Sequence, residues 1–301
     1  MRVLNLGSLN IDKTYQVDHF VRSKETISAQ SYEEFCGGKG LNQSVALARA
    51  GAAVYHAGAV GQDGGALLEA LRAAGVSTEL IQQMEAVPSG HAVIQIEPNG
   101  QNCILIYGGA NQAIETAYID AVLKQFGAGD LLLLQNETSC IAYAMEQAKQ
   151  RGMQLALNPS PITENLMHLD FSQVDYFLVN EVEGKALAGC DSEAPEDLIA
   201  GLTSAFPKAA VILTLGAQGA YYLKAEKQIF QPIYPVQAVD TTAAGDTFCG
   251  YLIAGLAEGL SEEKAMQQAA AASAIAVSRK GASPSIPTKA EVERFLKEQN
   301  R

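Results

Sequence analysis

The segment Val239-Asp240-Thr241-Thr242-Ala243-Ala244-Gly245-Asp246-Thr247-Phe248 has the residue types that transfer of a phosphoryl group needs. Small residues at the start of a helix leave backbone N–H groups unshielded, and with the helix dipole these attract an anion such as phosphate. Asp246 stands in the first turn beside that anion site, where a base for phosphoryl transfer belongs. The apolar spacing of Phe248, Tyr251, Leu252 and Leu256 marks the helix itself. An isolated Gly-Asp pair is more often a mere helix cap. The rest of the chain decides between the two.

Several other polar groups follow short apolar runs. Gly37-Gly38-Lys39-Gly40 precedes a helical pattern that begins Leu41-Asn42-Gln43-Ser44, so Lys39 and Asn42 offer donors beside backbone that a ligand can approach closely. The spacing is neither that of a Walker A loop nor that of a dinucleotide fingerprint, and a glycine-rich turn is as often structural. Asn10 and Asp12 lie two apart at the exit of the first strand and project to one side, an arrangement that can grip hydroxyls or cap a loop. Gln135 and Glu137, Asn180 and Glu183, and Thr214-Leu215-Gly216-Ala217-Gln218-Gly219 close three further strands. Polar strand exits repeated in this way predict one active edge of a sheet.

The elements that position these groups read as α/β. Val3–Leu6, Val54–Val60, Leu131–Leu134, Gln154–Leu157, Tyr176–Val179 and Val211–Leu215 are nearly continuous apolar runs. Leu41–Ala50, Ala66–Ala74, Ala117–Phe126, Ile141–Arg151 and Pro195–Phe206 are amphipathic stretches between them. Continuous apolar strands separated by helices predict a parallel sheet covered on both faces, a three-layer sandwich. After Asp246 the pattern is mainly helical. Two stretches break the rhythm: 13–35 and 90–108 hold four short strands with no covering helix, the second pair joined by Pro98-Asn99-Gly100 as a hairpin. They predict a small β-sheet lid inserted within a single 1–301 domain, with one face left open for pairing with a second subunit.

Composition bounds the partners. A formal charge of -12 over 301 residues disfavours nucleic acid and anionic membranes, yet a local nest of N–H groups still binds phosphate. The 5 cysteines are scattered without a C-x-x-C pair, and no histidine pattern suggests zinc. No signal-peptide core opens the chain and the longest apolar run, Ala269–Val277, is too short to span a bilayer. A soluble cytoplasmic protein is expected.

In order and spacing, the motifs Ser8-Leu9-Asn10-Ile11-Asp12, Gly37-Gly38-Lys39-Gly40-Leu41-Asn42-Gln43, Asn158-Pro159-Ser160-Pro161, Asn180-Glu181-Val182-Glu183, Thr214–Gly219, Asp240–Phe248 and Arg279-Lys280-Gly281-Ala282 resemble those of the ribokinase family. These enzymes are also called the PfkB-type carbohydrate kinases, and the resemblance spans essentially the whole chain. It implies an ATP-dependent sugar kinase, with D-ribose phosphorylated at its 5-hydroxyl. It implies Asp246 as general base and Ala243, Ala244 and Gly245 as the anion hole. Asn10, Asp12, Gly38, Lys39, Asn42 and Glu137 match sugar-binding positions. Asn180 and Glu183 match the motif that organises Mg²⁺ through water, with Asn180, Gly245 and Thr214, Leu215, Gly216, Ala217, Gln218 and Gly219 beside the nucleotide. Asp240, Thr242, Ala276, Arg279, Gly281 and Ser285 match a monovalent-cation loop, usually occupied by K⁺. In this family the lid also pairs two subunits as a homodimer.

Four positions depart from the family pattern. Lys24 stands where the lid turn usually has glycine, and Ala243 where the G-A-G-D signature has its first glycine, as ribokinases tolerate. Ala270 replaces an Asn or His near the adenine, and Asn136 replaces an apolar residue beside Glu137. Two other readings stay open: the same chemistry on another small sugar or nucleoside such as deoxyribose, and a catalytically silent sugar- or nucleotide-binding regulator.

Overall fold

The computed structural model describes residues 1–299. The chain opens with β1 (Arg2–Leu6), β2 (Asn10–Gln16), β3 (Ser31–Gly37), α1 (Lys39–Arg49), β4 (Ala53–Val60), α2 (Gly65–Ala73), β5 (Ser77–Gln83), β6 (Gly90–Ile96) and β7 (Asn102–Tyr107). It continues with α3 (Thr116–Leu123), β8 (Leu131–Gln135), α4 (Ile141–Gln150), β9 (Gln154–Asn158), β10 (Tyr176–Val179), α5 (Glu181–Ala188), α6 (Pro195–Ala205) and β11 (Ala210–Thr214). The last part holds β12 (Ala220–Lys224), β13 (Lys227–Gln231), α7 (Ala244–Ala257), α8 (Glu262–Val277) and α9 (Lys289–Gln299).

One sheet runs β13-β12-β11-β10-β9-β8-β1-β4-β5. From β11 to β5 every pairing is parallel, as the continuous apolar runs predict. The leucines of β8 show why such runs need two covered faces. Leu131 and Leu133 enter the core under α1, α7 and α8, whereas Leu132 and Leu134 enter the one under α3, α4 and α6. Side chains alternate across a strand, so an unbroken apolar run is stable only between two layers. The antiparallel β11–β12–β13 edge, and the edge strand β5, were not expected from the sequence. An edge strand buries less, so its sequence stays mixed and lacks the apolar signature.

The lid is a separate sheet of order β3-β2-β6-β7. Asn10 pairs with both Gly37 and Gly90, so the lid strands begin closer to the main sheet than the expected 13–35 limits. Asn10 and Asp12 therefore sit at the base of a lid strand, not in a loop. The β6–β7 turn closes as expected, with Glu97 N–H donating to Gln101 O at 2.9 Å and Gly100 at φ 83°. Lys24 does adopt a left-handed conformation, φ 65°, which explains why glycine suits that turn. Among the described residues no helix is long and apolar enough to cross a membrane.

Because the strands are parallel, the residues that follow β1, β8, β9, β10 and β11 meet at one edge of the sheet. At that edge α1 abuts the exit of β1: a Cβ on Gly40 would lie 2.3 Å from Ser8 N. Only glycine permits that approach.

Candidate active site

Asp246 lies in the first turn of α7 and is buried. Its Oδ1 accepts from Gln43 Nε2 at 2.9 Å and its Oδ2 from Asn42 Nδ2 at 3.0 Å. Both donors come from consecutive residues of α1, so the G-G-K-G turn and the 243–246 turn, far apart in sequence, build one site. The carboxylate plane is held at both oxygens. Asn42 Oδ1 is buried with no donor among the described residues, an acceptor that a ligand hydroxyl would satisfy.

Ala243 caps α7 in a left-handed conformation, φ 59°. Ala244 N–H, expected to face the anion, donates to Thr241 O at 3.2 Å. Ala243 and Gly245 N–H have no acceptor among the described residues. The cleft in front of them is lined by Ala243, Ala244, Gly245, Asp246 and Lys39, with Asn158, Asn180, Glu183, Thr214, Thr241 and Cys249 opposite and around. Asn158, Thr241 and Cys249 were not singled out from sequence as site residues, though Asn158 opens a motif at the end of β9.

The remaining hydroxyl-binding candidates gather between lid and sheet. A Cβ on Gly37 would fall 2.0 Å from Asp12 Oδ2, so the lid carboxylate sits directly against the glycine turn. Asn10 is held by Asn111, whose Nδ2 donates to its Oδ1 at 2.8 Å. The Glu137 carboxylate accepts from the Ser8 hydroxyl and, at 3.1 Å, from Lys39 N–H. Asn136 turns away and donates to Pro161 O at 2.6 Å and Thr163 Oγ1 at 3.0 Å, so its polar side chain braces a loop. Ser8 and Asn111 are supports that sequence reading missed.

Charge in this cluster is coupled. Burial pushes Asp12 up to about 7, and the Glu137 charge adds to the effect. Burial also raises Glu137, against the Ser8 hydrogen bond and the Lys39 charge that favour its anion. For Lys39, burial works to lower the pKa, but Asp246, Glu137 and Glu183 outweigh it and leave the ammonium raised.

The sign for Asp12 follows from its ordinary value of 3.8. The folded chain holds a proton there that the unfolded chain has lost, so the stabilisation is complete below about pH 4 and disappears as pH rises through about 7. Hydroxyl donors favour the carboxylate, so ligand affinity runs the other way. Affinity for a ligand that donates hydroxyls to Asp12 is expected to rise by up to about tenfold per pH unit below that midpoint and then level off. Over the same interval the melting temperature of the free protein should fall relative to Asp12→Asn. Titration calorimetry and thermal melts between pH 5 and 8 check both, and an affinity as pH-dependent in Asp12→Asn as in the parent would contradict the assignment.

On the opposite side, Asn180 and Glu183 form a capping box at the start of α5. Asn180 Oδ1 accepts from Glu183 N–H at 2.9 Å, and Glu183 Oε2 accepts from Asn180 N–H at 3.0 Å. Each Glu183 oxygen takes one bond from Asn180, so lone pairs remain for water in the cleft. The donor set suits a hydrated divalent cation. Sequence reading missed α5 although the N-x-x-E spacing is itself a helix-start signal. Of the 214–219 turn only Thr214 lines the cleft; Leu215 is in the core, and Gly216, Ala217, Gln218 and Gly219 turn the chain into β12.

Asp240 joins two loops. Its Oδ1 accepts from Thr242 N–H at 2.9 Å and Oγ1 at 2.6 Å, and its Oδ2 from Gly281 N–H at 2.9 Å. Ala276 O takes Arg279 N–H at 3.0 Å, and buried Ser285 donates its hydroxyl to Ala282 O at 2.8 Å. The Arg279 side chain leaves for Glu291 at 2.6 Å. One carboxylate among backbone carbonyls and hydroxyls fits an alkali cation better than a transition metal. Among the described residues no cluster of three His, Cys, Asp or Glu offers a metal site.

The sequence profile of the pfkB family carbohydrate kinases matches residues 2–289. A ribokinase from Haemophilus influenzae is 35% identical over 300 residues, 97% of each chain. A deoxyribokinase from Salmonella typhi is 30% identical over 302 residues, 98% of this chain and 99% of its own. The structure of Arabidopsis thaliana ribokinase complexed with ribose and ATP superposes with a TM-score of 0.87 at 31% identity, covering 98% of both chains.

Proposed function

The chain belongs to the pfkB family of carbohydrate kinases, and we propose that it transfers the γ-phosphoryl group of ATP to the 5-hydroxyl of D-ribose. The observation that supports this most is the placement of Asp246, clamped at both oxygens by Asn42 and Gln43 in a cleft that it shares with the Ala243 and Gly245 amides.

Asp12, Asn10, Gly38, Lys39, Asn42 and Glu137 hold the sugar and aim its 5-hydroxyl. Asp246 accepts the hydroxyl proton as the oxygen attacks the γ-phosphorus; the bond to the β-phosphate oxygen breaks in line and ADP leaves. The Ala243 and Gly245 N–H groups stabilise charge on the transferring group. Asn180 and Glu183 would hold the waters of Mg²⁺, which would supply charge neutralisation on the phosphates. Thr214 and the turn that follows it flank the nucleotide. Asp240, Thr242, Ala276, Arg279, Gly281 and Ser285 would hold K⁺, which would fix the shape of the turn that carries the anion hole and so act on rate. Two copies pair through the lid, whose Ile104, Leu105, Ile106 and Tyr107 are all exposed; a monomer by sedimentation at micromolar concentration counts against that pairing. Five free cysteines suit a reducing cytoplasm.

Deoxyribose as acceptor is the second reading, favoured by the similarity to a deoxyribokinase. The two are separated by turnover with Mg²⁺ across ribose, 2-deoxyribose, fructose and nucleosides, in Na⁺ and in K⁺. Ribose should exceed 2-deoxyribose in kcat/KM by roughly 10²-fold or more, because buried polar partners of the 2-hydroxyl would otherwise stay unsatisfied. Equal or better turnover of 2-deoxyribose discards the ribose assignment. K⁺ should raise kcat, and Asp240→Ala should abolish that response.

A further inference from the structure

The inner face of the sheet under α1 carries three polar side chains where apolar ones would pack: Asn5 on β1, His56 on β4 and Gln135 on β8. Asn5 and His56 are register partners, and Val3, Val54, Leu131 and Leu133 occupy the same face beside them. With Gln43 and Ser44 of α1 they form a layer in which every side chain is 0% exposed.

The hydrogen bonds run outward from Gln135, through Gln43 to Asp246 on one side and through Asn5 and Ser44 to His56 on the other. Gln43 Nε2 donates to Asp246 Oδ1 at 2.9 Å and to Asn158 Oδ1 at 3.1 Å. Gln135 Nε2 donates to Gln43 Oε1 at 2.7 Å and to Asn5 Oδ1 at 2.9 Å. Asn5 Nδ2 donates to Gly40 O and to Ser44 Oγ, both at 2.8 Å. Each amide thereby uses both of its hydrogens. Ser44 Oγ already accepts, so its own hydrogen goes to His56 Nδ1 at 2.8 Å, and His56 Nε2–H donates to Gly7 O at 3.2 Å. The imidazole is neutral in this arrangement, and burial pushes it down to about 4.

We propose that Gln43 is a positioning residue for the base Asp246, and that the orientation of its carboxamide is set from His56 through Ser44, Asn5 and Gln135. The proposal rests on the reading of Asp246 as base. Turning the Gln43 amide over would set Oε1 against the Asp246 carboxylate. The Gln135 donor at Oε1 forbids that turn, and each earlier member fixes the next by the same rule. Gln135 Oε1 is the one acceptor of the layer with no donor among the described residues, and in a fully buried layer reversing any of the three amides sets like groups against each other, so an error anywhere propagates to the carboxylate.

The test compares Gln43→Met, Ser44→Ala, His56→Phe and the double variant Gln43→Met/Ser44→Ala with Asp246→Asn. Turnover is expressed per folded molecule, well below each melting temperature. Gln43→Met is expected to lower kcat by about 10–100-fold, as small misplacements of a reacting group do. Ser44→Ala and His56→Phe should each lower it by about 3–10-fold through the shared network, with both KM values within twofold. The double variant should be no slower than Gln43→Met alone, since the relay acts only through Gln43. If Ser44→Ala and His56→Phe lower the melting temperature but leave kcat within twofold, the layer is structural and the proposal is overturned. Ser44→Ala adds no volume, so it gives this result even if His56→Phe does not fold. Collapse of Asp246→Asn beside unchanged Ser44→Ala overturns the relay alone; substantial turnover by Asp246→Asn removes the base assignment and the relay with it.

Discussion

Replacing Asp246 by Asn is expected to lower kcat by roughly 10²–10⁴, with the sugar KM changed by no more than a few-fold. That range corresponds to about 3–5.5 kcal/mol of transition-state stabilisation. The shape of the side chain is kept, so the cleft and its sugar contacts persist. What disappears is the ability to take the hydroxyl proton. One of the donors Asn42 and Gln43 would also face an NH₂ group in place of an oxygen, which adds a local penalty without emptying the site. Steady-state kinetics with a melting curve check this. A variant that folds, binds sugar and turns over within tenfold of the parent would show that Asp246 is a helix cap and no more.

Gly245→Val should be nearly as damaging for a different reason. No atom lies within 4 Å of a Cβ built on Gly245, and its backbone is not left-handed, so a side chain fits the fold. The open space it would fill is the cleft in front of the Ala243 and Gly245 amides. Excluding a phosphoryl group from that position is expected to cost roughly 10²–10³ in kcat, the usual span for loss of an anion-hole donor. The melting temperature should stay within a few degrees of the parent. Unchanged turnover would place the anion hole elsewhere.

The sequence was most legible where burial is complete. The leucines of β8 feed two cores, so their unbroken run announces a covered strand, and the helical stretches end within a few residues of their observed limits. It was least legible at edges: β5 and β13 keep mixed sequences because part of each faces solvent, and β12, paired on both sides and largely buried, went unread although Ala220-Tyr221-Tyr222-Leu223 is apolar. Helix α5 was hidden because its capping-box residues, Asn180 and Glu183, were read only as ligand positions. In the candidate site, Lys39, Asn180, Glu183, Thr214 and 243–246 line one cleft, whereas Leu215 is in the core and Gly216, Ala217, Gln218 and Gly219 do not line it. Ser8 and Gln43 stand inside the sequence motifs but carried no role there, and Asn111 escaped altogether, because all three hold other side chains. Asn5, Ser44 and His56 each look like a stray polar residue in an apolar run, and only the register of β1 against β4 under α1 reveals them as one layer.

The most direct test of the central claim is ³¹P NMR of the purified chain incubated with ATP, Mg²⁺, K⁺ and D-ribose. The expected result is loss of the γ-phosphate signal with growth of one phosphomonoester coupled to the C5 protons, together with ADP in equal amount. ADP with free phosphate and no sugar ester, or an ester on another carbon, would contradict it.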